Sequence, residues 1–530
     1  MLNPAMERAP SVFLDLFRPP DRIRHAWIRP AWIAVLFLSG LALWGAFLGW
    51  GATLPTYHDW GDVTDPRLYF LQDAVLHGML PLHISGKLPL GGITDRYLAI
   101  PDAFLSPQAF LLAFLPVSAF VLVNQFLLYA IGFLGLLWFE RKFRLSAFAL
   151  TILFLLFNFN GHVLSHFSVG HDTWTGYFLF PWFAVLVVRL LEGERSWRWV
   201  GMMALLLLGM LLQGSFHQFV WCLIFLALLA VASARLLAPA AAGGFFALLL
   251  SLFRLLPPAV DLSAFNRSYS YIGGYPTLAN ILPAMTDISL PGVFTFPPYV
   301  NWPLGSWELD LYVGLLGTAF LLLFGGYFWW KNRKAPGRFT ELALPVAGLV
   351  VLSVGGIYQI VRALHIPLLD GERVASRMIS LSFVFVLIIA VREFQEWLNG
   401  RPFSLPLLGG MAALLFVEGA DLLSNFSIWM VGRAWVYFDP VKLIPQDWYG
   451  IYRPDPVYLK FILLGAAGSI IALAGLAYLV WAENSGRFGF DSLPLPARFR
   501  GMPRISPAVP VTSQAKDPAA GESPAGKKDE

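Results

Sequence analysis

Apolar residues occur in this chain in long unbroken runs rather than at the spaced positions of a soluble amphipathic helix. A helix needs about 20 apolar residues to cross the apolar core of a bilayer. About twelve runs approach that length, near 30–53, 107–138, 145–159, 175–191, 199–213, 216–233, 239–256, 307–328, 341–361, 376–393, 403–421 and 457–482. In the long 107–138 run, Pro116 predicts a break between a re-entrant piece and a true span. The pattern predicts an all-α polytopic membrane protein with about twelve transmembrane helices.

Polar residues collect between these runs in three long stretches, 54–106, 257–306 and 422–456. Basic residues instead cluster in the short connections, at Arg141, Lys142, Arg144, Arg195, Arg198, Lys331, Arg333, Lys334, Arg392 and Arg401. With an even number of spans, these clusters lie on the side of the N-terminus, which the positive-inside rule assigns to the cytoplasm. Both termini are therefore expected in the cytoplasm, and the three polar stretches are expected outside.

The composition agrees with a membrane chain, because 57% of the residues are hydrophobic, only 13% are charged and the net charge is +4. The basic residues are dispersed, so no nucleic-acid-binding patch is predicted. The single cysteine, Cys222, excludes an intramolecular disulfide and a thiolate metal cluster. Residues 1–29 are predicted as a cytoplasmic leader, 30–484 as the transmembrane domain and 485–530 as a disordered cytoplasmic tail rich in small residues.

Aspartates are concentrated in the first outer stretch, directly after the first apolar run. Asp59, Asp62 and Asp65 recur every three residues, so we expect their carboxylates to converge if the segment is helical or turned. Converging carboxylates suit general-base catalysis or the binding of a hard divalent cation. The alternative is helix capping, because Asp65 followed by Pro66 is a typical start of a helix.

Histidines form a second candidate group. His162 and His166 are four residues apart, so one face of a helix presents both, and His171 and Asp172 follow closely. The residue types resemble a metal-ligand set, but no standard zinc spacing is matched. One interpretation is that these side chains line a substrate cleft, and the alternative is that they line a hydrated cleft and satisfy the backbone ends of two adjoining spans.

Arginines at the outer ends of spans form a third group, comprising Arg254, Arg267, Arg362, Arg373 and Arg377. An arginine near lipid needs a partner, and the guanidinium fork matches the oxygens of a phosphate. Arg373 and Arg377 would point the same way on a helix. The alternative is snorkelling, or pairing with Asp370 or Glu372.

Two further short segments combine polar and aromatic residues. Residues 214–218 predict a short outer hairpin whose His217 and Gln218 reach towards the cleft. Trp307, Glu308 and Asp310 precede the eighth apolar run and mix the aromatic residues of a membrane boundary with two acids. A substrate role is the second interpretation for these acids.

The run WGDVTDPRLYFLQDAVLHGMLPL, followed by GG and PDAFLSPQAFLLAFLP, resembles the opening of the YfhO-like bacterial membrane proteins of the GT-C glycosyltransferase superfamily. Similar motifs follow in the expected order over roughly residues 30–395: GHVLSHFSVGHDTWTGYFLFPW, LLQGSFHQ, RLLPPAVDLSAFNRS, LDLYVGLLGTAFL and ERVASRMISLSF. The resemblance implies a GT-C-like fold in a bacterial inner membrane. It also implies transfer of a sugar from a polyprenyl-phosphate donor to an extracytoplasmic acceptor.

The resemblance assigns roles to residues. Asp65 is the first choice for the base and Asp62 the second, and Arg373 and Arg377 are expected to hold the lipid phosphate. Our own hypothesis adds Arg254 as an arginine that neutralises the leaving phosphate. Asp59, His162, His166, His171 and Asp172 are expected to contact substrate. A divalent cation stays open as a cofactor, and a large soluble outer domain for the acceptor is lacking.

Two other functions fit the same sequence. A transporter or lipid flippase would have broken helices with polar groups at the bilayer midplane. A catalytically silent assembly protein would leave the outer aspartates scattered.

Overall fold

The computed structural model describes residues 11–80, 82–84, 94–100, 102–103, 105–261, 272–335, 337–441 and 450–490. These parts of the chain are mostly helical. Two predictions fall outside them, namely the role of Arg267 and the disorder of the tail beyond residue 490.

Long α-helices make up most of the described chain. They are Ile28–Phe47, Asp65–Leu76, Val117–Phe143, Ala147–Asn158, Gly161–Ser168, Phe180–Leu191, Trp197–Leu212, Phe216–Ala232, Ala234–Leu250, Leu252–Ala259, Ala343–Leu352, Gly355–Arg362, Ile379–Asn399, Leu405–Trp429 and Pro456–Asn484. Shorter α-helices are Ser11–Asp15, Ile281–Thr286, Gly314–Phe320, Trp329–Asn332 and Val431–Ala434, and π-helical turns are Trp60–Thr64 and Leu321–Phe328. The 3₁₀ segments are Pro20–Arg22, Gly49–Gly51, Tyr97–Ala99, Pro107–Ala113, Asp172–Leu179, Leu278–Asn280, Ser306–Glu308, Thr340–Leu342, Leu369–Gly371, Ala375–Met378 and Trp435–Tyr437. The strands form two antiparallel pairs, His83–Ile84 with Gly450–Ile451 and Phe294–Thr295 with Leu304–Gly305.

Several of these helices are long and apolar enough to cross a membrane. Within the described residues, seven segments are long and apolar enough to cross a bilayer: Ile28–Phe47, Val117–Phe143, Ala147–Ser168, Asp172–Leu191, Ala375–Asn399, Leu405–Trp429 and Pro456–Asn484. An eighth is added if the bent pair Ala234–Leu250 and Leu252–Ala259 is one span. The chain is therefore an all-α membrane protein. Each predicted apolar run coincides with helix, but the predicted count of about twelve spans is not reached by these criteria.

Two breaks in the helices have local causes. The 3₁₀ segment Pro107–Ala113 is separated from the helix Val117–Phe143 by a break at Pro116, as predicted. Pro116 has an extended backbone (φ −61°, ψ 152°) and directly precedes the helix. The helices Ala234–Leu250 and Leu252–Ala259 meet at an angle of 66°. This bend carries Arg254 towards the first outer stretch.

The bundle has two chemically different ends. Three ion pairs lie at one of them, which we call the basic end: Arg29 with Glu140 (2.7 Å), Lys142 with Glu192 (2.7 Å) and Arg338 with Glu393. The span Ala375–Asn399 runs from Arg377 to Glu393, a distance of roughly 24 Å at 1.5 Å per residue. The span Ala147–Ser168 runs the other way, and Ser146 at its start contacts Gln395. Its histidines therefore lie with Arg377 at the opposite end, which we call the site end.

The predicted leader is folded against the basic end where the structure describes it. The buried carboxylate of Asp15 accepts hydrogen bonds from the side chains of Arg18 and His25 and from two backbone N–H groups. Phe17 is also buried, and its ring stacks on Phe148 with centroids 4.6 Å apart. Residues 11–29 are thus part of the packed domain.

Candidate functional site

The first outer stretch is held tightly against the turn after the helix Gly161–Ser168. The hydroxyl of Tyr57 and the indole N–H of Trp60 both donate to the carbonyl of Ser168, at 2.7 and 3.1 Å. Gly170 has a φ of +96°, and a Cβ there would lie 2.3 Å from the backbone nitrogen of Trp60. Only glycine allows this approach. The contact places Asp59 beside the histidines.

Asp59 contacts His171, which is distant from it in the chain. Nε2 of His171 lies 2.9 Å from its Oδ2, and Nδ1 of His58 lies 3.4 Å from its Oδ1. Burial opposes ionisation, but the hydrogen bond from His171 and the nearby charge of Arg373 hold the pKa of Asp59 well below its usual range. The side chain is still 32% exposed. Asp59 is therefore an accessible carboxylate at physiological pH.

Three histidines and a tryptophan continue inwards from Asp59. Nδ1 of His171 lies 2.7 Å from Nδ1 of His166. The ring of His166 stacks on Trp174 (4.2 Å between centroids), and the indole N–H of Trp174 donates to Nε2 of His162 at 3.1 Å. The rings of His162 and His166 are 4.6 Å apart, as expected for one helix face.

A buried ion pair completes this group. Arg377 donates through two guanidinium nitrogens to both carboxylate oxygens of Glu308, at 2.6 and 2.5 Å, and its guanidinium lies 4.8 Å from the centroid of Trp174. Burial alone would raise the pKa of Glu308, but the charge of Arg377 lowers it below the usual value. We call Asp59, His162, His166, His171, Glu308 and Arg377 the polar cluster.

Arg373 and Arg377 do not share a helix face, contrary to the sequence-based argument. Arg373 precedes the 3₁₀ segment Ala375–Met378, so the two residues are not on successive turns of one α-helix. Both charges nevertheless act on Glu308, and that of Arg373 also acts on Asp59. The loop before the span, and not the spacing of an α-helix, brings both arginines close to the polar cluster.

Asp65 lies in a different environment from Asp59. It is fully buried at the first turn of the helix Asp65–Leu76, and neither carboxylate oxygen has a hydrogen-bond partner among the described residues. Burial and the neighbouring charge of Asp172 raise the pKa of Asp65 to about 8. A buried acid that is protonated at neutral pH is not ready to accept a proton. The first choice for the base is revised on this ground.

The three carboxylates at three-residue spacing differ in exposure. Asp62 is exposed on the π-helical turn Trp60–Thr64, between the partly exposed Asp59 and the buried Asp65. The charge of Asp172 acts on Asp65. Each of the three acids therefore has its own surroundings, although they share one π-helical turn and its flanks.

Arg254 is buried beneath the first outer stretch and apart from the polar cluster. Its guanidinium donates to the carbonyls of Leu98 and Ile100, at 3.2 and 2.8 Å, and lies 3.9 Å from Asp102. These contacts fix the loop. A role at the leaving phosphate is not supported by its position.

Glu372 is a site residue that the sequence analysis treats only as an arginine partner. Its Oε2 lies 3.1 Å from Nδ1 of His217 and accepts from the indole N–H of Trp221 at 2.8 Å. The ring of Trp221 meets Trp174 edge to face. In the sequence, Glu308 directly follows Trp307 and Glu372 directly precedes Arg373. An acid next to an aromatic or basic residue is the sequence pattern that could have identified both.

An apolar groove opens next to the polar cluster. It has a volume of about 320 Å³ and lies between residues 48–57 and 431–440. Tyr57 lines it, and the ring of Phe438 stacks on Tyr57 at 5.3 Å and lies 5.3 Å from His58. Among the described residues, no group of three or more His, Cys, Asp or Glu side chains is placed to hold a metal ion.

Comparison with known proteins finds no match: no family model, no curated protein and no solved structure. The resemblance to the YfhO-like proteins stays an expectation based on ordered motifs. The contacts of the polar cluster are the observations from which a function follows.

Proposed function

We propose that this chain is a GT-C-type glycosyltransferase of a bacterial inner membrane. It transfers a sugar from a polyprenyl-phosphate donor to an extracytoplasmic acceptor, with both termini in the cytoplasm. The observation that carries the proposal is that Asp59 contacts His171 and feels the charge of Arg373 at the site end of the bundle, opposite the basic end.

Asp59 takes the role of the base, in place of Asp65. In the transfer step the acceptor hydroxyl oxygen bonds to the anomeric carbon while the bond from that carbon to the phosphate oxygen breaks. The hydroxyl proton passes to Asp59, and the electron pair of the broken bond leaves on the polyprenyl phosphate. A carboxylate of low pKa accepts this proton late, because the hydroxyl becomes strongly acidic only as its oxygen bonds to carbon.

Arg373 stabilises the negative charge that develops on the leaving phosphate. It is half-buried in the loop before the span Ala375–Asn399 and is close enough to influence both Asp59 and Glu308. Arg377 is committed to Glu308, so it keeps the wall of the site in place. The apolar groove beside Tyr57 offers the isoprenoid chain a surface at the same end of the bundle.

The proposal is tested by sugar transfer from a panel of polyprenyl-phosphate hexoses to glycans extracted from a bacterial envelope, with the protein in proteoliposomes. We expect Asp59→Asn to lower the release of polyprenyl phosphate by about 100-fold or more. Asp62→Asn, which changes an exposed aspartate three residues away, is the matched control and should keep near wild-type rates. Wild-type rates in Asp59→Asn, or no transfer by the wild type from any donor, would contradict the proposal.

A further inference from the structure

Asp59, His171 and His166 form a continuous line of hydrogen bonds. The line runs from Oδ2 of Asp59 to Nε2 of His171 (2.9 Å) and from Nδ1 of His171 to Nδ1 of His166 (2.7 Å). Exposure falls along the line, from 32% for the Asp59 side chain to 10% for that of His171, and His166 is fully buried. The line thus connects the reactive carboxylate to the interior of the protein.

The chemistry of the three groups allows one direction of donation. An ionised Asp59 can only accept, so His171 donates from Nε2. Burial lowers the pKa of His171 despite its contact with Asp59, so the ring is neutral at pH 7 and has no second N–H. The proton between the two Nδ1 atoms therefore belongs to His166.

The environment of His166 agrees with this direction. Its Nε2 is buried and has no hydrogen-bond partner in the parts of the chain that the structure describes. In the stated direction Nε2 carries a lone pair, whereas the reverse direction would leave a buried N–H without an acceptor. A buried acceptor without a partner is tolerated better than a buried donor without one.

We propose that His171 and His166 are positioning residues for Asp59. His166 donates from Nδ1 and thereby fixes the tautomer of His171, and His171 donates from Nε2 and holds the carboxylate of Asp59 in a single orientation. Neither histidine touches the substrate. The ring of His166 packs on Trp174, which also contacts the guanidinium of Arg377. This packing holds Nδ1 of His166 in position to donate to His171.

The direction of donation is tested on the wild-type protein by ¹⁵N spectra of its labelled imidazoles in a lipid bilayer at pH 7. His166→Asn and His171→Asn assign the signals. We expect a protonated Nδ1 and an unprotonated Nε2 on His166, with a scalar coupling between the two Nδ1 nitrogens. An N–H at Nε2 of His166 would overturn the inference.

The positioning role is tested in the transfer assay and, in that part, rests on the proposed function. His166→Phe keeps an aromatic ring against Trp174 but removes the donor, whereas the amide nitrogen of His166→Asn can replace Nδ1. We expect kcat to fall about tenfold in His166→Phe with little change in KM, and to recover in His166→Asn. Equal kcat values in the two variants would contradict the positioning role.

The two parts separate the inference from the proposed function. If the wild type transfers no sugar but the spectra show the stated tautomers, the proposed function fails and the hydrogen-bond chain stands. If the wild type is active and His166 carries its proton at Nε2, only the inference fails. Should His166→Phe not fold, the wild-type spectra still decide the direction of donation.

Discussion

At the scale of residues, three neighbouring aspartates have three different fates. Asp59 is ionised and partly exposed, Asp62 is exposed, and Asp65 is buried and protonated at neutral pH. The sequence predicts that acids collect here. It does not predict which acid is ionised. Ionisation depends on His171, Arg373 and Asp172, which are all distant from these aspartates in the chain.

The buried state of Asp65 gives wild-type stability a pH dependence of known sign. Its folded-state pKa of about 8 lies above the unfolded value of about 3.9. The folded state therefore binds the extra proton between these values, and the contribution of Asp65 to stability is lost as pH rises through that window. We expect Asp65→Asn to remove this loss, so its Tm should fall less than that of the wild type between pH 5 and pH 8.

Thermal melting in detergent at the two pH values checks this expectation. Asp62→Asn is the control, because an exposed carboxylate should leave the wild-type change in Tm unaltered. An Asp65→Asn variant whose Tm falls as much as that of the wild type would show that Asp65 is ionised in the folded state.

At the scale of elements, the apolar runs predicted helices correctly and Pro116 predicted a real break. The π turn Trp60–Thr64 and the bend after Leu250 were not predicted, because both depend on packing between distant segments. The same is true of the close approach at Gly170. The sequence indicates which residue types form the site. It does not indicate which side chains pair, such as Asp59 with His171 and Arg377 with Glu308.

Gly170 lets two elements dock, and its replacement should separate them. We expect Gly170→Ala to lower Tm and to abolish most transfer activity, because the new Cβ would clash with the backbone of Trp60 and displace His171 from Asp59. Gly193→Ala is the matched control, since Gly193 has a similar φ of +101° but nothing within 4 Å of an added Cβ. It should incur only the backbone strain of about 1–2 kcal/mol.

Equal losses of Tm and activity in the two glycine variants would show that backbone strain alone matters. Wild-type activity in Gly170→Ala would show that the contact with the first outer stretch is not required. Both quantities are measured on the same purified preparations.

At the scale of the whole molecule, the polar cluster and the ion pairs of the basic end lie at opposite ends of the bundle. The positive-inside rule then predicts that Asp62 lies outside and Lys334 in the cytoplasm. Both side chains are exposed, and the native Cys222 is fully buried, so single cysteines report accessibility cleanly.

We expect a membrane-impermeant maleimide added to intact cells to label Asp62→Cys and not Lys334→Cys. Lys334→Cys should react only after the membrane is opened. Labelling in the reverse order would place the polar cluster on the cytoplasmic side and contradict an extracytoplasmic acceptor.

The central claim is that Arg373, beside the polar cluster, binds the phosphate of a polyprenyl carrier, and the most direct measurement is the Kd of polyprenyl phosphate for the protein in nanodiscs. We expect Arg373→Ala to weaken binding by tenfold or more, since a charge-assisted hydrogen bond contributes about 1.5–3 kcal/mol and 1.4 kcal/mol corresponds to tenfold. Arg362→Ala, which changes another arginine of the predicted outer set, should leave Kd within about twofold. An unchanged Kd in Arg373→Ala, or equal weakening in both variants, would contradict the account.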